Sequence, residues 1–125
     1  MNAPRPLRIL IADDDQAMNN EVYARLMKAG FLPDQAFDGE DALRKVAFPF
    51  DLIILDLVMP GMSGFDVLKE MQNMKITTPV VVLSTLRQEE DIKRVKSLGA
   101  RESFAKADPN FMDNVIKYAE ALSVA

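Results

Sequence analysis

The chain of 125 residues contains neither cysteine nor histidine. Without cysteine there is no disulfide, no zinc–thiolate site and no thiol nucleophile. Without histidine there is no Ser-His-Asp triad, no imidazole metal ligand and no phosphohistidine on this chain. Any chemistry must therefore run on carboxylates, hydroxyls and amines. Long hydrophobic runs are also missing: nowhere do about 18 apolar residues follow one another, and the start, M-N-A-P-R-P-L-R, lacks the apolar core of a signal sequence. The expectation is a soluble, cytoplasmic protein with no membrane partner. Basic charge is in short supply as well. A net charge of −4 does not provide the electrostatic footprint of direct nucleic-acid binding.

What is present is ordinary in amount and specific in order. With 49% hydrophobic and 27% charged residues, the composition is that of a globular protein, and the length suits one domain over residues 1–125. Short apolar runs at 8–12, 51–55 and 79–83, with a weaker one at 102–105, alternate with longer amphipathic stretches. That alternation is the pattern of repeated strand–helix units in an α/β fold with a parallel sheet. The runs are apolar at successive positions, as in strands covered on both faces. A second strand is expected at 31–36, where Pro33 restricts it to a sheet edge. Helical spacing links Met18, Val22 and Leu26, and likewise Phe111, Val115, Ala119 and Leu122. Asp15 is expected to cap the helix at 16–28, and Asp108-Pro109 to start the last one. Glu89/Lys93 and Glu90/Arg94 stand as i,i+4 pairs, and Gly30 and Gly99 fall where helices should stop.

In an open parallel sheet, ligands bind beyond the carboxyl ends of the strands. The residues there are Asp13 and Asp14 after the first run, Asp56 after the third, Ser84 and Thr85 after the fourth, and Lys106 after the fifth. Any one of them alone would serve as a cap or a solvated loop residue; their convergence is the signal. Two carboxylates about 4 Å apart repel by roughly 4 kcal/mol at an effective dielectric near 20, so three together call for a cation. Hard oxygen donors without His or Cys suit Mg²⁺, or Mn²⁺ in its place. Magnesium favours few carboxylates plus a phosphate oxygen, and Ser84 and Lys106 are suited to bind and neutralise a phosphoryl group.

The segments I-L-I-A-D-D-D at 9–15, D-G-E-D-A-L at 38–43, D-L-I-I-L-D-L-V-M-P-G-M-S-G at 51–64, V-V-V-L-S-T at 80–85 and L-G-A-R-E-S-F-A-K at 98–106 together resemble the receiver domain of two-component response regulators. The resemblance implies a flavodoxin-like, doubly wound (βα)5 fold in three layers, with strand order 2-1-3-4-5. It implies that Asp56 accepts a phosphoryl group from a phosphohistidine on a sensor kinase or phosphotransfer protein. It further implies that Asp14 and Asp56 ligate Mg²⁺ directly, that Asp13 acts partly through water, and that the backbone carbonyl of Val58 is the third protein ligand. Ser84, with Thr85, matches the hydroxyl switch, and Lys106 the family lysine. The output surface would be the fourth helix, fifth strand and fifth helix, here Glu89–Leu98 and Phe111–Leu122. The chain would be a monomer or a weak, phosphorylation-dependent homodimer.

Two departures from the family pattern stand out. Ser103 occupies the place where a switching Tyr or Phe is usual, and Phe104 beside it points to the opposite face. K-A-D-P replaces K-P after the lysine, so the usual cis bond has no proline to form on at Ala107. Val58 and Leu86, both apolar, flank the expected path of a hydrolytic water, and slow self-dephosphorylation is the expectation. Three other readings compete. An aspartyl-phosphate phosphatase would want a second acid at position 58; a nucleotide- or flavin-binding module would want a glycine- or hydroxyl-rich loop where three aspartates stand; an interaction module independent of phosphorylation fits the missing aromatic at 103.

Overall fold

Each apolar run becomes a strand and each amphipathic stretch a helix. The computed structural model describes residues 5–85 and 88–123. Within them the chain runs β1 (Arg8–Ala12), α1 (Gln16–Lys28), β2 (Leu32–Ala36), α2 (Gly39–Lys45), β3 (Leu52–Leu55), α3 (Gly64–Asn73), β4 (Val80–Ser84), α4 (Glu89–Ser97), β5 (Glu102–Ala105) and α5 (Phe111–Ser123). All pairings are parallel, in the order β2-β1-β3-β4-β5. This is the doubly wound α/β arrangement expected from the sequence.

Two apolar layers flank the sheet. On one face Leu10, Ile53, Leu55 and Val82 pack against Ala42 of α2 and Val46 just past its end, Leu68 and Met71 of α3 and Val95 of α4. On the other, Ile9, Ile11, Ile54, Val81 and Leu83 pack against Val22 and Leu26 of α1 and Val115 and Ala119 of α5. Strand residues alternate between these layers, and both layers are buried and apolar, which is why the strands read as unbroken apolar runs. Among the described residues, no helix is long and apolar enough to cross a membrane.

The helix ends follow local chemistry, with one correction. Asp15 caps α1, its carboxylate accepting from the Met18 N–H at 3.1 Å. Gly30 and Gly99 take φ of +94° and +101° just past α1 and α4, a conformation only glycine adopts freely. Asp108-Pro109, however, does not begin α5. The Asp108 carboxylate accepts from the Asn110 N–H at 2.8 Å and its carbonyl from the Phe111 N–H at 3.0 Å, closing a separate turn. The helix then opens with Asn114 N–H donating to the Asn110 carbonyl. An aspartate bonding its own backbone two residues on competes with helix capping, and here the turn wins.

On α4 the Glu89–Lys93 pair forms at 3.2 Å. Arg94 does not join Glu90 as expected; its guanidinium lies over the Phe65 ring, 4.1 Å from the centroid. The face of a buried ring holds a guanidinium better than an exposed carboxylate in water does.

Pro33 lies on an edge strand, as expected, and that edge is closed by side chains. The Leu32 N–H donates to the Leu7 carbonyl, so the backbone of residue 32 faces β1 and that of residues 33 and 35 faces outward. Pro33 has no N–H to offer. The Gln35 N–H is taken by the Asp34 carboxylate at 2.8 Å, and the Gln35 carbonyl by the Lys45 ammonium at 2.5 Å. Blocked donors and acceptors prevent strand addition at such an edge. We predict that Pro33→Thr combined with Lys45→Ala gives concentration-dependent association beyond that of the unsubstituted chain, measured by sedimentation velocity. An unchanged distribution would show that the edge is protected by something else.

Candidate functional site

The parallel ladder continues one residue past the strands and aims the polar side chains. The Asp13 N–H donates to the Ala36 carbonyl, the Asp56 N–H to the Ala12 carbonyl, and the Lys106 N–H to the Ser84 carbonyl, at 3.1, 2.9 and 3.0 Å. Hydrogen-bonded backbone thus fixes three residues from three strand ends around one crevice. Asp13, Asp14 and Asp56 offer carboxylate oxygens that all lie within 4.8 Å of one another. Lys106 reaches in from the far side, its Nζ 2.8 Å from Asp13 Oδ2 and 3.4 Å from Asp56 Oδ2. Asp13 and Asp56 are buried, and Asp14 stands partly exposed at the mouth.

The electrostatics are those of an unbalanced cluster. Three carboxylates against one ammonium leave two negative charges uncompensated, the charge of one divalent cation. Burial, then the neighbouring charge of Asp13, raise the Asp56 carboxyl to about 6, against the pull of Lys106 and of the Val58 N–H. For Lys106, burial opposes the charged form, but its hydrogen bond to Asp13 and the charges of both aspartates outweigh it and hold the ammonium above its ordinary range. The donor set is hard oxygen throughout, which fits Mg²⁺ and other cations of that class.

The remaining expected residues fall as follows. Ser84 ends β4 and is buried, next to Lys106 through its own carbonyl; Thr85 is exposed just beyond. Val58 is exposed in the loop after β3, its N–H 3.4 Å from Asp56 Oδ1. Leu86 lies outside the described residues. Ser103 sits in β5 opposite Val82, below the cluster and outside it. Phe104 pairs with Leu83 and packs in the α1/α5 layer, the opposite face, as the strand period requires. No cis peptide occurs among the described residues, and Lys106 reaches the acids from the K-A-D-P sequence all the same.

Two positioning residues were not singled out from sequence. Asn19 is fully buried, its amide donating to the Asp13 carbonyl at 2.9 Å and the Ala36 carbonyl at 3.0 Å, while its oxygen accepts from Gln35 at 3.1 Å. It pins the turn that carries Asp13 and Asp14 to the end of β2. The available signal was a polar residue on the stripe of Val22 and Leu26. Gly64 is the second: a Cβ there would stand 2.3 Å from the Asp56 carbonyl oxygen and 2.8 Å from Leu57 Cα. Only glycine lets the first turn of α3 press against the backbone of Asp56. The Gly64 N–H then donates to the Leu57 carbonyl at 2.9 Å.

Comparison with known proteins finds relatives of the same fold. The family model described as "Response regulator receiver domain" matches residues 9–117. Response regulator RR06 of Streptococcus pneumoniae is 40% identical over 101 residues, 80% of this chain and 46% of that protein. The receiver domain of the Francisella response regulator 1452 superposes with a TM-score of 0.87 at 28% identity, covering 94% of this chain and 97% of that one. TrrA of Thermotoga maritima, solved in complex with Mg²⁺-BeF, gives 0.79 at 29% identity over 93% of this chain and 98% of its own. The chain spans about half the length of the curated response regulators RR06 and CiaR.

Three outcomes are expected. The folded Asp56 carboxyl titrates near 6 against an ordinary value of 3.8, so the metal-free folded state binds more protons than the unfolded chain across that window. Its stability therefore falls as pH rises from about 4 through about 6. Mg²⁺ reverses the loss above that range, and its apparent affinity drops about tenfold per pH unit below it, because the metal must displace the proton. Thermal melts with and without Mg²⁺ across this range check both; a pH-independent metal effect would contradict the assignment. Gly64→Ala should cost roughly 1–3 kcal/mol by forcing α3 away from Asp56, read from denaturant midpoints.

Proposed function

The chain belongs to the response-regulator receiver domain family, and on that premise we propose that it is a phosphorylation-dependent signalling switch with Asp56 as phosphoacceptor. The observation that carries this reading is the buried Asp56 carboxylate, held at a strand end beside two further carboxylates and within 3.4 Å of the Lys106 ammonium. An Asp56 oxygen attacks the phosphorus of a phosphohistidine on a sensor kinase or phosphotransfer protein. The P–N bond breaks as the P–O bond of an acyl phosphate forms, and the imidazole leaves with the electron pair.

Asp13, Asp14 and Asp56 would hold Mg²⁺, with the Val58 carbonyl as a further ligand. The metal supplies charge neutralisation of the phosphoryl oxygens. The solved TrrA structure is a complex with Mg²⁺-BeF, which supports the reading. Lys106 neutralises a phosphoryl oxygen, and Ser84, followed by Thr85, accepts the hydrogen-bonding change that the new group imposes. The altered state is read by a downstream protein at the face of α4, β5 and α5.

The same residues argue against a turnover phosphatase. Val58 stands where a second acid would serve a leaving group, and Val58 and Leu86 are both apolar in the sequence, so neither of these two side chains can orient a hydrolytic water. Asp56 is then a substrate of its own site, and the acyl phosphate is lost slowly. An interaction module independent of phosphorylation is the second reading, favoured only by Ser103 in place of a switching aromatic.

Incubation with Mg²⁺ and a small phosphodonor should add one phosphoryl group per chain by intact mass, and none in Asp56→Asn. Addition that persists in Asp56→Asn, or no addition to the unsubstituted chain, overturns the proposal. The phosphorylated form should outlast a timescale of seconds after donor removal; faster loss contradicts the role given to Val58 and Leu86.

A further inference from the structure

The least anchored helix of the described chain is α4. Val95 is its sole buried residue, and its N-cap, Gln88, makes no side-chain cap hydrogen bond. A helix held by so little apolar burial has a low local opening free energy. Arg94 supplies what the core does not. Its guanidinium covers the face of Phe65, 4.1 Å from the ring centroid, and its charge also reaches Asp66, the next residue of α3.

The turn that receives Arg94 is rigid and abuts Asp56. Ser63 and Asp66 form a reciprocal capping box, the Ser63 hydroxyl accepting from the Asp66 N–H at 3.2 Å and the Asp66 carboxylate accepting from the Ser63 N–H at 3.1 Å. Phe65 lies between them in the chain and is itself buried. Gly64, immediately before it, is the residue with no room for a Cβ against the Asp56 carbonyl. A continuous path of contacts therefore runs from the Asp56 backbone through Gly64 to the first turn of α3, from Phe65 to Arg94, and so into α4.

We infer that the Arg94–Phe65 stack is the tie through which occupancy of Asp56 sets the position of α4. It takes up the coupling that a ring at position 103 would otherwise provide. Ser103 has no ring to move, whereas Phe65 offers one on α3, already loaded by the Arg94 cation. A planar guanidinium is required for this contact, because it stacks over the ring and remains charged; an ammonium is more strongly hydrated and leaves the ring for water. Arg94 is thus a positioning residue for the switch, acting through α3 and touching no phosphoryl group. This inference rests on the reading of Asp56 as phosphoacceptor.

The test uses the full chain with Mg²⁺ and beryllofluoride, followed by backbone amide NMR. In the unsubstituted chain, resonances of residues 56–66 and of α4 should both shift on addition. In Arg94→Ala, an exposed substitution that leaves the core intact, the shifts at 56–66 should persist while those in α4 fall at least twofold. Arg94→Lys should resemble Arg94→Ala, since charge alone does not restore the stack. Phe65→Leu, which keeps apolar volume without the ring, should uncouple α4 in the same way. An α4 response undiminished in Arg94→Ala, with shifts at 56–66 present, overturns the inference and leaves the phosphoacceptor reading standing. No shift at 56–66 in the unsubstituted chain overturns both.

Discussion

Like charges forced together at the end of a sheet are the constraint on which the rest of this structure depends. Asp13, Asp14 and Asp56 bring carboxylate oxygens within 4.8 Å of one another. At that separation each pair repels by roughly 3–4 kcal/mol at an effective dielectric near 20. Nothing in the surrounding apolar layers relieves this. Lys106 offsets part of it from the opposite side, and the raised Asp56 carboxyl marks what remains. A site left short of positive charge in this way is poised for a divalent cation and for a group that the cation can bring with it.

Holding such a cluster open requires stiffness around it. The parallel ladder carries Asp13, Asp56 and Lys106 one step beyond the strands on backbone hydrogen bonds. Asn19 ties the loop of Asp13 to β2 from beneath, and the glycine at 64 lets α3 brace the carbonyl side of Asp56. The backbone bonds thus hold Asp13 and Asp56 close in spite of the repulsion between them. The same contacts tie the backbone of Asp56 to the first turn of α3, where Gly64 leaves no space between them.

The helices α3 and α4 are of unequal firmness. α3 is capped at its start and packs five buried residues against the sheet, while α4 buries one. By burial and capping, α3 is the firmly held member and α4 the lightly held one. A cation on an aromatic ring, rather than a further hydrophobic contact, is what joins α4 to α3 at the surface.

Periodicity and the positions of the acids were enough to specify the fold class, the edge placement of Pro33 and the group Asp13, Asp14, Asp56 and Lys106. All of these are written in local pattern. Apolar runs report burial on two faces, and polar residues immediately after such runs must emerge at the same end of a parallel sheet. Asn19, the closed edge at Lys45 and Gln35, the turn at Asp108 and the stack of Arg94 on Phe65 were decided only by the tertiary structure. Each depends on which of several satisfactory partners a polar group meets in space. Asp108 could cap a helix or close a turn, and Arg94 could pair with Glu90 or cover a ring. Sequence spacing offers both choices, and the geometry of neighbouring elements selects one.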